Sequence, residues 1–228
     1  MEGIVYSLWR YPVKSLIGER IESVELNSRG VAGDRIYAVS YSDGKFGSGK
    51  NTRRFRRIDG LFSLLATTND SGVSIKFPDG SVYSYDDSAL NSVLSSVLGE
   101  SVRLTEEAEI PHFDDGAIHI LSKQSLTLLG EFLPDACIAE SRFRPNIVLD
   151  TNISDADLIG KTIHVGTATL EVTHKTERCR MITLAQPGLE SRPEILRVVS
   201  KKYELLFGVY ARVVSNGYVS VGDACSVK

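Results

Sequence analysis

Short runs of β-branched and other apolar residues, separated by turn sequences, are the feature that most restricts how this chain can fold. Asp43-Gly44 and Pro78-Asp79-Gly80 predict two hairpin turns, since glycine adopts a positive φ without steric cost. Asn216-Gly217 is typical of a type I′ turn and predicts a hairpin between strands at 207–214 and 218–227. Many short strands with few helices favour a closed or partly closed antiparallel barrel in the second half of the chain.

Three segments carry helical patterns. Apolar residues at helical spacing predict a first helix that ends at Gly99, because glycine is the common residue after a helix C-terminus. Ser122 is placed to cap a second helix, which Pro134 halts. Pro193 suits the first turn of a third helix. The sequence therefore predicts a mainly β protein with a few helices.

An acidic segment at 105–115 shows no clear period and contains a proline. We interpret it as a linker between two halves of the chain. The residues before it are rich in strand patterns, and those after it carry the predicted barrel. The sequence thus predicts a smaller β-rich N-terminal domain at 1–105 and a β-barrel domain at 106–228.

Composition restricts the location and partners of the protein. Of 228 residues, 42% are hydrophobic and 24% charged, with a net charge of −3, which is ordinary for a globular protein and gives no bias toward nucleic acid. No apolar run is long enough to span a bilayer, and the first residues lack the layout of a signal peptide. The three cysteines are widely spaced, which argues against a disulfide framework. We expect a cytoplasmic protein without nucleic-acid or membrane partners.

One cysteine has a distinctive setting. Cys179 lies between Arg178 and Arg180, and neighbouring cations favour the thiolate, the form that attacks electrophiles or ligates a metal. The alternative is that Cys179 is a small buried apolar residue, as free cysteines often are. Cys137 and Cys225 lack flanking cations, and we expect both to be packing residues.

Three further motifs precede Cys179: Tyr11-Pro12-Val13-Lys14-Ser15, Gly30-Val31-Ala32-Gly33-Asp34-Arg35 and Arg142-Phe143-Arg144-Pro145-Asn146. In this order, the four motifs resemble the MOSC family of molybdenum-cofactor-binding proteins. That family is related to the amidoxime-reducing components and to the C-terminal domain of molybdenum-cofactor sulfurases. The resemblance runs over nearly the whole chain and implies a MOSC-type β-barrel preceded by a smaller β-rich N-terminal domain.

The resemblance implies specific roles for residues of this chain. Cys179 corresponds to the protein ligand of molybdenum and is a predicted catalytic residue, together with Thr183. A thiolate is a soft donor that suits a metal already held by sulfur. The predicted cofactor-binding residues are Lys14, Ser15, Arg35, Ser122, Arg144, Asn146 and Arg178. Helix capping explains Ser122 equally well.

The same resemblance implies a molybdenum-cofactor-binding oxidoreductase, which we expect to reduce N-hydroxylated or N-oxidised small molecules by two electrons. A separate ferredoxin or flavoprotein reductase is the implied electron donor. One departure concerns protons: Gln186-Pro187 stands where the amidoxime reducers have Asp-Pro. Proton delivery would fall to Thr183, a water or another residue. The alternatives are a cofactor carrier or sulfur-transfer module, and a non-enzymatic barrel that binds an anion.

Two remaining charged segments allow several interpretations. The basic stretch at 50–57 suits substrate or cofactor binding, a solvated face, or nucleic-acid binding through its interleaved phenylalanine. Asp114 and Asp115 are interpreted as part of the acidic linker. The histidines show no metal-ligand spacing, and we expect His119 and His174 to be core or cleft residues.

Overall fold

Nineteen strands and three α-helices occupy the residues that the computed structural model describes, 2–69 and 72–228. The strands up to residue 106 are β1 Glu2–Arg10, β2 Val13–Lys14, β3 Glu19–Ile21, β4 Ser23–Asn27, β5 Gly30–Val31, β6 Tyr37–Ser40, β7 Phe46–Ser48, β8 Phe55–Arg57, β9 Leu65–Asn69, β10 Gly72–Lys76, β11 Val82–Ser84 and β12 Arg103–Glu106. The later strands are β13 Ile118–Ser122, β14 Ile147–Asp150, β15 Thr162–Val165, β16 Ala168–Glu177, β17 Leu206–Ser215, β18 Gly217–Ser220 and β19 Ala224–Val227. The helices are α1 Leu90–Leu98, α2 Lys123–Glu131 and α3 Pro193–Tyr203, and the 3-10 turns are Leu61–Ser63, Glu140–Phe143, Asp155–Leu158 and Arg180–Thr183.

Seven strands close into a barrel in the order β14, β13, β17, β16, β15, β19 and β1, and the pairing of β1 with β14 completes the ring. The pairs are antiparallel except β13 with β14, which is parallel. Aliphatic side chains from alternate strand positions fill the interior, as expected for a small barrel. The predicted mainly β fold with a β-barrel is confirmed.

The N-terminal segment contributes to this barrel. β1 lies between β14 and β19, although about 140 residues of sequence separate it from β14. Val5 and Leu8 of β1, Val24 and Leu26 of β4, and Val31 of β5 all pack in the barrel core. The burial of these apolar side chains therefore ties the first thirty residues to the C-terminal half of the chain.

The remaining N-terminal residues form a second core. One sheet runs β12, β6, β7 and β8, with β2 beside β6, and another runs β11, β10 and β9. Their apolar side chains pack with α1 in a cluster that extends from Val13 to Leu104. A third, smaller cluster joins α2 and α3 to Phe143 and Ile182, and so supports the turn that follows Cys179.

Several local predictions are confirmed. Gly44 and Gly80 have positive φ angles in the two hairpin turns, and Gly99 ends α1 in the left-handed conformation. The side chain of Ser122 accepts a hydrogen bond from the Ser125 amide at the start of α2. Pro193 is the first residue of α3. These features depend on neighbouring residues alone, which is why local sequence predicts them.

The predicted hairpin at Asn216-Gly217 is wrong. The strand β18 after this dipeptide pairs with β4, not with β17, and Gly217 is not among the residues with positive φ. Its glycine has another explanation, because a Cβ atom at this position would lie 2.5 Å from the carbonyl carbon of Thr167. Close approach of two backbones, not a type I′ turn, therefore requires glycine here.

The helices bear on the membrane prediction as well. None of the helices in residues 2–69 and 72–228 is long and apolar enough to cross a membrane.

The three cysteines are all free, and Cys225 is buried in the barrel core. Cys137 is exposed, so the expectation that it packs inside the protein is wrong.

Candidate functional site

A polar cleft between the barrel and the second core brings together segments that lie far apart in sequence. Lys14 and Ser15 come from the end of β2, Arg35 from the loop before β6, and Arg178 and Cys179 from the end of β16. The other lining residues are Ser48, Lys50, Asp114, His119, Phe143, Arg144, Glu177, Met181, Ile182 and Tyr210. The cleft contains five cationic side chains but only two carboxyl groups, or three if the buried Asp34 that pairs with Arg35 is included. This excess of positive charge suits the binding of an anion.

Three cleft residues have an uncommon backbone conformation. The backbone φ angles of Ser15, Arg35 and Arg144 are 66°, 52° and 57°, which lie in the left-handed region that residues other than glycine rarely adopt. Such conformations cost free energy, and they persist mainly where the surrounding structure holds a functional group in place. Their coincidence in one cleft therefore supports the prediction that these three residues form a binding site.

Arg144 is the most constrained of the cleft cations. Its guanidinium lies 4.1 Å from the ring centroid of Tyr11 and donates a hydrogen bond to the carbonyl oxygen of Leu16. Its second terminal nitrogen is buried without a hydrogen-bond partner among the described residues. Burial and the nearby Arg35 lower the pKa of Arg144 to about 10. The side chain thus keeps an unused donor in a positively charged environment, as an anion site requires.

Arg35 is held by a carboxylate that is fully buried. Asp34 accepts a hydrogen bond from Arg35 and another, of 2.7 Å, from the backbone amide of Tyr11. The Arg35 guanidinium also lies 5.0 Å from the Tyr11 ring centroid, so Tyr11 contacts both Arg35 and Arg144. Asp34 therefore fixes the loop that presents Arg35 to the cleft.

Arg178 connects the cysteine to the rest of the cleft. It donates a 2.7 Å hydrogen bond to the carbonyl of Phe143, and its Nη1 lies 3.5 Å from Nε2 of His119. Burial and the adjacent Arg178 lower the pKa of His119 well below its usual value, so the imidazole is neutral at pH 7. Nε of Arg178 is buried without a partner among residues 2–69 and 72–228.

Cys179 precedes the turn Arg180–Thr183 and is partly buried at the cleft wall. Arg178 lines the same cleft, but Arg180 is exposed and does not. The predicted pair of flanking guanidinium groups is therefore reduced to one. Met181, an apolar residue, also lines the cleft near Cys179.

Lys14 is almost fully buried, with 3% of its side chain exposed. Its ammonium donates to the carbonyl of His112 at 2.6 Å and to Asp114 at 2.8 Å, which leaves one of its three protons free. Burial lowers the pKa of Lys14 to about 8, although Asp114 opposes the shift. A buried lysine that titrates near neutral pH makes anion binding dependent on pH.

We expect binding of inorganic pyrophosphate, a stand-in for a cofactor phosphate, to weaken as pH rises through 8. Deprotonation of Lys14 removes its charge, and the limiting loss for one proton is about tenfold in affinity for each pH unit above the pKa. Calorimetric titrations between pH 7 and pH 9.5 would measure the effect. In Lys14→Gln the binding should be weaker at pH 7 and lack this step. An unchanged step in that variant would assign the titration to another group.

Three predicted site residues do not line the cleft. Asn146 is buried, accepts a 3.0 Å hydrogen bond from the His119 amide and donates to the carbonyl of Trp9. Ser122 caps α2, and its amide donates to Asp155 at 2.7 Å. The hydroxyl of Thr183 donates to the carbonyl of Arg180 at 2.8 Å. All three hold the backbone near the site, and none of them faces the cleft.

Sequence reasoning missed two polar residues of the cleft. Asp114, interpreted as linker acidity, pairs with Lys14, and Asp115 lies 2.8 Å from His174. Tyr210 faces the cleft, and burial raises its pKa to about 12. No local pattern marks Asp114 or Tyr210, because only the tertiary structure brings them into the cleft. His119 lines the cleft, as the sequence allowed.

Most arginines of the basic stretch at 50–57 are paired with other groups of the chain, at the protein surface. Arg54 donates to the carbonyls of Pro111 and Phe113, while Arg56 and Arg57 pair with Asp43 and Asp59. Lys50 lines the cleft. Of the three interpretations, binding at the cleft is supported for Lys50, whereas the paired arginines do not form a free basic surface.

Among the described residues, no group of three or more His, Cys, Asp and Glu side chains could hold a metal ion. Cys179 is therefore a single protein donor, and a metal bound there would need further ligands from a cofactor. The cleft could bind the anionic groups of such a cofactor, because it contains several cations and two buried guanidinium nitrogens that have no partner among the described residues.

Comparisons with known proteins identify related domains over the chain. Residues 2–109 match the MOSC N-terminal beta barrel domain, and residues 107–226 match the MOSC domain. A segment of 93 residues is 31% identical to the molybdenum cofactor sulfurase of Drosophila ananassae, and one of 71 residues is 35% identical to that of Drosophila melanogaster. These matches cover 38% and 30% of this chain.

The matched segments span only 12% and 9% of the two sulfurases. The crystal structure of the YUAD protein from Bacillus subtilis shares the fold, with a TM-score of 0.58 and 13% identity, over 100% of this chain and 96% of that one. Together the two domain matches extend over almost the whole chain. The chain belongs to the MOSC domain family.

Proposed function

We propose that this protein is a molybdenum-cofactor-binding oxidoreductase that reduces N-hydroxylated or N-oxidised small molecules by two electrons. The observation that carries the proposal is the position of Cys179 at the wall of a cationic cleft, where Arg35 and Arg144 are held in left-handed backbone conformations. A thiolate supplies the metal donor, and the guanidinium groups supply the sites for an anionic pterin phosphate.

The residues present fit such a cofactor. Arg144 and Arg178 each keep a buried guanidinium nitrogen without a partner in the described part of the chain, and a bound phosphate or pterin oxygen would satisfy both. Lys14 retains one free proton, and Ser15 places a hydroxyl beside it. These four residues would hold the anionic part of the cofactor, with Cys179 as the ligand of the metal.

When bound, the cofactor would supply the two-electron redox chemistry. Reduction of an N-hydroxy compound consumes two electrons and two protons, breaks the N–O bond, and yields the amine-level product and water. We propose that a separate ferredoxin or flavoprotein reductase supplies the electrons. The protein itself binds and orients the cofactor and leaves the substrate an approach beside Cys179.

The protons need a source in the cleft. The side chain of Gln186 has no acidic proton, and the hydroxyl of Thr183 is bonded to the Arg180 carbonyl. Lys14, with a pKa of about 8, is protonated at neutral pH and lines the cleft. We propose that a water in the cleft, where Lys14 and the guanidinium groups keep the environment electropositive, delivers protons in place of an acidic residue at position 186.

The proposal is tested by the molybdenum and pterin content of protein made in a cofactor-producing host. We expect near-stoichiometric molybdenum in the wild type and at least a tenfold loss in Cys179→Ala. With a chemical electron donor, reduction of an N-hydroxy substrate should fall at least 100-fold in that variant. Cys137→Ala, which removes an exposed cysteine, is the matched control and should behave as the wild type. Absence of both metal and pterin from the wild type would refute the proposal.

Similarity to the molybdenum cofactor sulfurases supports a second candidate, a module that carries the cofactor or handles its sulfur. Cys179 would then guard or pass sulfur and would not hold a catalytic metal. This candidate predicts that the wild type binds cofactor but does not turn over N-hydroxy substrates when a chemical electron donor is supplied. The turnover assay therefore separates the two candidates.

A further inference from the structure

A second cavity, of about 410 Å³, lies next to the cationic cleft. Its volume is in the range of sites for small organic ligands. One wall comes from the residues that follow Cys179, namely Met181 and residues 184–187. The rest of the lining comes from Gly49 and residues 58–63 of the N-terminal half. We call this space the apolar cavity.

The apolar cavity and the cleft meet at Met181, because this residue lines both. It is two residues from Cys179 and belongs to the turn Arg180–Thr183. The backbone amide of Gly49 lies 3.1 Å from the Met181 sulfur, and a Cβ atom at Gly49 would lie 2.3 Å from that sulfur. The glycine therefore allows the thioether to pack directly against the backbone, at the boundary between the two spaces.

The lining of the apolar cavity suits a neutral ligand. Ile58, Leu61 and Phe62 are buried apolar residues. Asp59, at the rim, is already paired with Arg57 at 2.9 Å. Because no unpaired charge faces the space among these residues, transfer of a charged molecule into it would cost desolvation free energy without compensation.

One polar group inside the wall has no partner. Gln186 is 9% exposed, and the nitrogen of its side-chain amide is buried without a hydrogen bond to any described residue. Buried polar groups are nearly always bonded, so an unpaired amide that lines a cavity indicates a ligand or a water. A carboxamide carries no charge and can both donate and accept, which matches a neutral polar substituent.

We propose that the apolar cavity binds the body of the substrate, and that this body is neutral and apolar, with a polar substituent bonded to Gln186. The N–O group would then reach past Met181 toward Cys179. This inference rests on the proposed reductase function for its substrate chemistry. It adds a class of substrate, apolar and uncharged, and a residue that recognises it.

The test measures binding by ligand-observed NMR and calorimetry, without turnover. Quinoline N-oxide, quinoline and trimethylamine N-oxide are the probes, and all are uncharged or zwitterionic overall. We expect the two aromatic probes to bind at least tenfold more tightly than trimethylamine N-oxide. Ala185→Trp, which fills the cavity from an exposed position, should weaken aromatic binding at least tenfold.

Ala156→Trp is the matched control, since Ala156 is also an exposed alanine but lines a different cavity. It should bind the probes as the wild type does. Gln186→Leu should weaken binding of a probe with a polar ring substituent, 3-hydroxyquinoline, more than that of quinoline. Equal aromatic binding by the wild type and Ala185→Trp would overturn the inference.

The outcomes also separate this inference from the proposed function. Cavity-dependent binding of quinoline by a protein that never reduces N-oxygenated compounds would retain the apolar cavity as a ligand site and refute the reductase function. Reduction of N-oxygenated compounds that Ala185→Trp leaves unchanged would retain the reductase function and refute the assignment of the cavity.

Discussion

Arg144→Gln is expected to lower the cofactor content at least tenfold without lowering the melting temperature of the cofactor-free protein. The wild-type side chain gains a contact with the Tyr11 ring and a hydrogen bond to Leu16, together about 3 kcal/mol. Burial and Arg35 lower its pKa to about 10, so the protein environment disfavours the charged form. These effects oppose the stabilising contacts in the cofactor-free protein, and we expect the main loss to fall on anion binding.

The measurement compares pterin and molybdenum content with the thermal unfolding of cofactor-free protein. Arg20→Gln is the control, because Arg20 also lies over a tyrosine ring, that of Tyr6, but is exposed and far from the cleft. It should leave both quantities unchanged. A melting temperature that drops by several degrees in Arg144→Gln, with normal cofactor content, would show that Arg144 is a structural residue.

Asp34→Ala is expected to lower the free energy of unfolding by about 4 kcal/mol, which is typical when one partner of a buried ion pair is removed and the other stays buried. Asp34 is fully buried, and it pairs with Arg35 and accepts from the Tyr11 amide. Its loss leaves Arg35 uncompensated beside Arg144. For a chain of this length, the melting temperature should fall by roughly 10 °C.

Calorimetric unfolding checks this value, with Asp43→Ala as the control. Asp43 forms an ion pair of ordinary length with Arg56, but both side chains are about half exposed. Exposed pairs contribute less than about 1 kcal/mol, so the control should unfold within a few degrees of the wild type. Equal effects of the two substitutions would mean that burial of Asp34 does not strengthen its contribution.

Local features of this fold were predictable because they depend on adjacent residues. The cap at Ser122, the proline that starts α3 and the turn glycines Gly44 and Gly80 all follow from backbone preferences. The motif residues Lys14 and Arg35 could also be identified from sequence, although through family resemblance. Their convergence in one cleft was then found in the structure.

Other features have no local signal. Asp114 belongs to an irregular segment, and nothing near it in sequence indicates the pairing with Lys14, 100 residues away. Asn146 has the right residue type for reading a pterin, but the fold uses both ends of its amide on the backbone. Whether a polar side chain faces a ligand or a carbonyl depends on which buried groups would otherwise be unpaired.

The sequence by itself determined the strand-rich composition, the caps and turns, and the residue types available for an anion site and a metal ligand. Only the tertiary structure decided that β1 closes the barrel, that β18 pairs with β4, and that a cationic cleft and an apolar cavity meet at Met181. The physical reason is that backbone preferences act between neighbours in sequence. Strand pairing and cavity shape depend instead on which distant surfaces bury each other best, and that is a property of the whole chain.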